Sequence, residues 1–359
     1  MPVPRPTPGC IWNSFRASGK RHLLLTGGRG SGKTTLLGSL CPEPLPGVTT
    51  WADPGKAVYL REENTGRETV IGRFDPTLPG VENKMQPVLP GLQALGVDAL
   101  GRCVQHPSPW VRVDEIGYLE LTCPEYCQAL RQLFEKKQVM AAVRKQDAPF
   151  LKELLQRQDV FSVDLDAPYG SAGCVLMASG LGRRFGGSKL MVPFLGKPLL
   201  SWALSATEGL FSRRVVVTRN PEAASFCAAL GVETVVHDYP GRNDTVRLGL
   251  EAVGNVERCL FCPADQPLLS RQTVESLLLC GQNSRGRIWR PCFQGTPGAP
   301  ILFSRDYFDE LKHLPQGKGG GVVAASHGES VRTLPVADRR ELWDIDTPEN
   351  LTELEQTMK

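Results

Sequence analysis

The sequence predicts an α/β protein built from two three-layer α/β/α domains, and three observations lead there. At 359 residues the chain is more than twice a typical domain length. Short apolar runs bounded by turn residues alternate with helical patterns throughout, which is the rhythm of mostly parallel sheets. A glycine-rich basic loop also follows an apolar run twice, once after Leu23 and again after Val175.

In the first half, RHLLLTG reads as a strand and KTTLLGSL opens a helix. WVRVDEIGYLEL contains the next strand, PEYCQALRQLFEKK a helix, QVMAAVRK a strand, PFLKELLQRQ a helix and VFSVDLD a closing strand. The small, flexible stretch APYGSAG follows, and CVLMASG begins a new strand–loop unit, so the boundary is expected there, giving domains 1–168 and 169–359. In the second half RRVVVTRN, VETVVHD, RCLFCPAD and RIWRPCF are strands. PLLSWALSATEGLF, PEAASFCAALG, DTVRLGLEAVG and RQTVESLLLCG are the intervening helices. A last helix starts at Thr347, a good N-cap, with Pro348 in its first position.

Composition excludes several classes. A formal charge of +3 is too small for a nucleic-acid binder, which concentrates basic residues on one face. The proline-rich start MPVPRPTPGCIWNSF has no apolar core of a signal peptide, and no apolar run approaches the ~18 residues of a membrane span. Eleven cysteines, an odd number scattered through apolar segments, fit reduced thiols and a cytoplasmic location. Cys259 and Cys262 have CxxC spacing but sit in a strand, where an offset of three points to opposite faces. They read as small buried hydrophobes, as do Cys123 and Cys127.

The first loop satisfies G-x-x-x-x-G-K-S/T through Gly27, Gly32, Lys33 and Thr34. Its glycines turn backbone N–H groups toward phosphate oxygens, and the helix N-terminus adds partial positive charge. Gly27, Gly30, Gly32, Lys33, Thr34 and Thr35 are therefore the expected nucleotide contacts, with Lys33 on the terminal phosphates and the Thr34 hydroxyl on magnesium (Mg2+). Asp114, at a strand end, would hold the same ion, and Glu115 would orient an attacking water. TGGRGSGKTT, VDEIGYLEL and AAVRKQDAPFLKELLQRQDVFSVD resemble the small P-loop nucleoside-triphosphatases first described in thermophiles, over about residues 20–166. That resemblance implies slow hydrolysis of ATP or GTP; it is looser between Pro42 and Gly101.

The second loop lacks G-K-S/T and is no second P-loop. Ala178, Ser179 and Gly180 allow close approach to phosphate, while Arg184 and Lys189 bring charge. Asp265 after one strand and Asp346 before the last helix would form an oxygen site for magnesium if they meet. LMASGLGRRFGGSK, NDTVRLGL, PADQPLL, GTPGAPILF and LWDIDTPENL resemble the MobA/MocA-like nucleotidyltransferases, above all the molybdenum cofactor cytidylyltransferases.

The resemblance implies a Rossmann-like domain with a mostly parallel sheet, moving CMP from CTP to the terminal phosphate of molybdenum-molybdopterin with release of pyrophosphate. Arg184 and Lys189 would bind the triphosphate, Asp265 and Asp346 the metal, and Arg247 would lie near the nucleotide. The A-S-G start of the loop leans toward CTP over GTP. Gly298-Ala299-Pro300 and Gly317–Val322 depart from the family pattern on the acceptor side, leaving another phosphorylated acceptor open. A molybdoenzyme or its chaperone is the expected recipient of product, and a nucleotide-gated adaptor is the alternative for the first half. His237 and His327 read as surface residues, and no nucleic acid or membrane partner is expected.

Overall fold

The computed structural model describes residues 4–41, 43–53, 56–78, 84–180 and 182–358. The chain forms two compact units, residues 19–168 and residues 169–359 together with 1–18. The N-terminal segment, expected in the first domain, thus belongs to the second. Its helix Pro8–Ser18 buries Cys10, Ile11, Ser14 and Phe15, a stripe at helical spacing. That stripe packs on helix Arg271–Gln282, where Ser14 Oγ donates to Ser276 O at 3.1 Å and Cys10 Sγ to Glu275 Oε2 at 3.3 Å.

In the unit 19–168 the strands are β1 (His22–Gly27), β2 (Gly47–Asp53), β3 (Ala57–Glu62), β4 (Glu68–Phe74), β5 (Met85–Pro87), β6 (Trp110–Ile116), β7 (Gln138–Arg144) and β8 (Val160–Asp164). Their order is β5-β4-β3-β2-β6-β7-β1-β8. β2, β6, β7, β1 and β8 run parallel, whereas β3, β4 and β5 add on antiparallel. Every residue of β1 is buried, as expected of an inner parallel strand covered on both faces. Leu25 on β1 and Asp114 on β6 both register with Ala142 of β7. The loop after β1 and the acids ending β6 therefore share one edge of the sheet.

The second unit contains β9 (Ala172–Ala178), a small hairpin of β10 (Pro193–Phe194) and β11 (Lys197–Pro198), then β12 (Arg213–Thr218), β13 (Glu233–Val236), β14 (Arg258–Pro263), β15 (Ile288–Phe293), β16 (Thr296–Pro297), β17 (Ile301–Ser304) and β18 (Val331–Pro335). The sheet order is β13-β12-β9-β14-β17-β15-β16, with β18 on β15. β13, β12, β9 and β14 are parallel, while β17 is antiparallel to both neighbours. After β9 the chain moves outward through β12 to β13, then crosses to β14 on the other flank. That reversal opens a crevice beyond the carboxyl ends of β9 and β14, the general location of ligands in such sheets. The last helix runs Pro348–Thr357, with Thr347 Oγ1 capping Asn350 N.

Ile11→Ala should lower the stability of the second unit by about 2–4 kcal/mol, the cost of emptying a buried aliphatic site. Hydrogen exchange reads it locally: amides of residues 271–282 lose protection, while those of β1 keep theirs.

Candidate functional site

The loop after β1 is shaped by glycine. Gly30 and Gly32 have φ of 74° and 85°, in the left-handed region that side chains rarely enter. Lys33 opens the following helix, Lys33–Leu40, and is only 7% exposed. Its Nζ donates to Gly27 O at 2.9 Å and to Gly28 O at 3.0 Å. Thr34 Oγ1 donates to Asp114 Oδ1 at 3.0 Å. Asp114 is wholly buried, and its Oδ2 accepts from Arg112 Nη2 at 2.7 Å. A hydroxyl and a carboxylate are thus side by side, hard oxygen donors suited to magnesium. Thr35 is exposed on the first helical turn. Glu115 pairs with Arg144 Nε at 2.9 Å.

Two participants here had no role in the sequence reading. Asp166 Oδ2 accepts from Gly28 N at 2.9 Å and from Lys145 Nζ at 3.2 Å. Glu120, in the same D-E-I-G-Y-L-E-L run as Asp114, is 3% exposed and accepts from Gly117 N at 2.9 Å. Burial pushes its carboxyl up to about 7, because the charged form loses hydration there.

In the second unit the loop after β9 turns at Gly182, whose φ is 57°. A Cβ there would lie 2.3 Å from Gly187 O, so any side chain would disrupt the turn. Lys189, 9% exposed, places Nζ 2.6 Å from Asp265 Oδ2 and 3.4 Å from Asp346 Oδ1. Arg184, 74% exposed, holds Nη1 3.9 Å from Asp346 Oδ2. The two aspartates, far apart in sequence, therefore converge opposite the basic loop. The segments that carry them are joined by Ile345 N donating to Asp265 O at 3.0 Å. A third carboxylate, Asp344, accepts from Gln266 Nε2 at 2.9 Å. Burial, reinforced by Asp265, raises its pKa.

Lys189, Asp265, Asp344 and Asp346 border a pocket of about 740 Å³, which Ser179, Gly180 and Ala299 also line; Arg184 is not among its lining residues. Ala178 ends β9 with a buried side chain, and its carbonyl accepts from Thr218 Oγ1 at 3.0 Å. Ser179 Oγ is 2.8 Å from His237 Nε2. His237 is accordingly a neighbour of the loop and not a plain surface residue; burial lowers its pKa. Arg247 pairs with Glu251 at 3.2 Å and lies over Tyr239, outside the pocket lining. On helix Arg242–Val253 the pocket-facing positions are Arg242, Thr245 and Val246. Arg247, five residues beyond Arg242, falls on another face of the helix.

A cation that prefers oxygen ligands suits this centre, where the Lys189 ammonium already meets two carboxylates. Among the described residues no three His, Cys, Asp or Glu side chains cluster tightly enough to hold a metal alone. All eleven cysteines are free, and Cys123, Cys127, Cys259 and Cys262 are buried. Among the described residues no helix is long and apolar enough to cross a membrane.

The fold and the two loops define a tandem of nucleotide-handling α/β domains. Residues 54–167 match the NTPase family model, and residues 174–331 match the MobA-like NTP transferase domain. Nucleoside-triphosphatase THEP1 of Thermotoga sp. strain RQ2 is 29% identical over 150 residues, 40% of this chain and 86% of that protein. Molybdenum cofactor guanylyltransferase of Ectopseudomonas mendocina is 31% identical over 132 residues, 35% of this chain and 65% of that protein. Molybdenum cofactor cytidylyltransferase of Escherichia coli K12 is 26% identical over 184 residues, 49% of this chain and 92% of that protein. The chain is a fusion of a P-loop nucleoside-triphosphatase half with a MobA-like nucleotidyltransferase half.

Glu120 generates a stability prediction. Between about 4.5 and about 7 the folded chain keeps a proton that the unfolded chain has lost. Its contribution is thus fully present below about 4.5 and is lost as pH rises through about 7. Glu120→Gln should flatten this fall, seen as a smaller difference in urea midpoint between about pH 5 and about pH 8.

Proposed function

We propose that the second half transfers CMP from CTP to the terminal phosphate of a molybdopterin, releasing pyrophosphate, while the first half hydrolyses a nucleoside triphosphate. The observation that supports the transferase reading best is the meeting of Asp265 and Asp346 at Lys189 beneath the loop that carries Arg184. A phosphate monoester is already anionic near neutral pH, so its attack on the near phosphate needs no general base. The difficulty is the approach of two anions.

Asp265 and Asp346 would hold magnesium, which supplies Lewis-acid charge to the phosphate oxygens. Lys189 and Arg184 would shift from the carboxylates to the triphosphate and stabilise the departing pyrophosphate. Ser179 and Gly180 present a loop with little side-chain bulk, which admits the phosphates to the backbone. The A-S-G loop start supports CTP over GTP. In the first half Lys33 would bind the terminal phosphates, Thr34 and Asp114 the magnesium, and Glu115 would position the attacking water.

A second reading keeps the chemistry and changes the acceptor. Ala299 lines the same pocket, at a position where the family pattern has a histidine. This supports a related pterin or another phosphorylated compound. Pyrophosphate release measured with CTP or GTP against each acceptor separates the two readings.

Asp265→Ala should reduce pyrophosphate-releasing transfer by about 10²–10³-fold or more, with phosphate release from ATP or GTP unchanged. Lys33→Ala should do the reverse. Loss of both activities from either well-folded variant would overturn the two-site reading.

A further inference from the structure

Beside the acids at the end of β6 lies a pocket of about 350 Å³, lined by Trp51, Met85, Tyr118, Glu115, Glu120 and Arg144 among others. A water molecule takes about 30 Å³ of liquid, so the pocket is roughly ten times larger than a hydrolytic water requires. Its walls are those of a ligand site: aromatic and thioether surface with a few converging polar groups. Trp51 is fixed in that wall, stacked on Tyr59 at 5.4 Å and 16°, with the Arg61 guanidinium 5.6 Å from its ring. A wall ordered in advance costs a ligand little entropy.

We propose that the P-loop half is a phosphotransferase, passing the γ-phosphoryl group of a nucleoside triphosphate to a hydroxyl of a flat heteroaromatic compound held in this pocket. The inference rests on reading Lys33, Thr34 and Asp114 as the triphosphate site. The acceptor oxygen takes the place of the attacking water beside Glu115. A bond forms between that oxygen and the γ-phosphorus, and the bond from the γ-phosphorus to the β–γ bridging oxygen breaks. The nucleoside diphosphate leaves with the electron pair, and the hydroxyl proton passes to Glu120. Hydrolysis is the reaction that remains when the pocket holds only water.

Glu120 is placed for this role by geometry. It lines the pocket, with Oε2 fixed by Gly117 N and Oε1 3.4 Å from Thr50 Oγ1. The charged groups that face it are Glu115, which disfavours its ionisation, and Arg144, which favours it. A carboxyl that burial brings to about 7 exchanges protons near neutrality. The carboxylates also favour a ring bearing N–H or amino donors over a plain hydrocarbon ring, while the aromatic walls favour a flat one. The product is a phosphate monoester, the kind of group the second half is proposed to extend.

The test uses the full chain with magnesium, ATP labelled in the γ-phosphate, and three probes: guanosine, adenosine and 6-hydroxymethylpterin. Expected is label on at least one probe, with inorganic phosphate falling in proportion, and saturable binding of that probe by calorimetry without ATP. Trp51→Ala should weaken probe binding more than tenfold, and Trp51→Phe should restore most of it. Glu120→Gln should lower kcat for transfer at least tenfold with KM for the probe within threefold. Inorganic phosphate as the sole product, or probe binding indifferent to both Trp51 changes, overturns the proposal and leaves the hydrolase reading standing. No phosphate release with or without probe overturns the triphosphate-site reading itself.

Discussion

The C-terminal half depends on the approach of two like charges. Asp265 and Asp346 come from distant segments, and their convergence is favourable only where positive charge offsets the repulsion. Lys189 supplies it at 2.6 Å and 3.4 Å. The backbone bond from Ile345 N to Asp265 O fixes the spacing of the two segments before any side chain acts. Asp344 lies between these partners in sequence, and its raised pKa reflects the density of acids and the burial at this point. Lys189 thus compensates both carboxylates, and Arg184 Nη1, 3.9 Å from Asp346 Oδ2, brings a second cation to the same point.

The two candidate sites are built from different materials. After β1 the work falls to backbone: left-handed Gly30 and Gly32 shape the loop, and Lys33 is sequestered against two carbonyls. After β9 it falls to side chains from three regions of sequence, Arg184 and Lys189 on the loop and two aspartates beyond it. A loop that binds through its own backbone carries its whole signature in a few consecutive residues. A centre assembled from distant side chains does not. The difference in recognition therefore follows from the difference in physics.

That difference also governs what could be read from sequence. The Lys33–Thr34 pattern, the strand before it and the helix after it were legible because local geometry demands each residue. So was the cap at Thr347. The strands β2–β5 were not: their exposed and half-buried positions carry Thr, Glu and Arg, and β3–β5 form an antiparallel extension, so they lack the unbroken apolar run of β1. The helix Pro8–Ser18 hides behind prolines, yet the spacing of Cys10, Ile11, Ser14 and Phe15 held a helical signal. The resemblance points to Arg247, and the helix that carries it also turns Arg242 and Thr245 to the pocket. The tie between Ser179 and His237 joins separate strand ends, and no local pattern announces it.

Connectivity adds a last constraint. Because the helix Pro8–Ser18 belongs with residues 169–359, the P-loop unit is an insertion, covalently held at both ends by the other unit. Its first and last strands, β1 and β8, are parallel neighbours, so the chain enters at one edge of the sheet and leaves from the opposite edge. The exit edge is the one that carries the phosphate loop. There Asp166, two residues before Pro168, is bonded to Gly28 N within that loop. The segment leading out of this unit is thus tied by a hydrogen bond to the loop of the first candidate site.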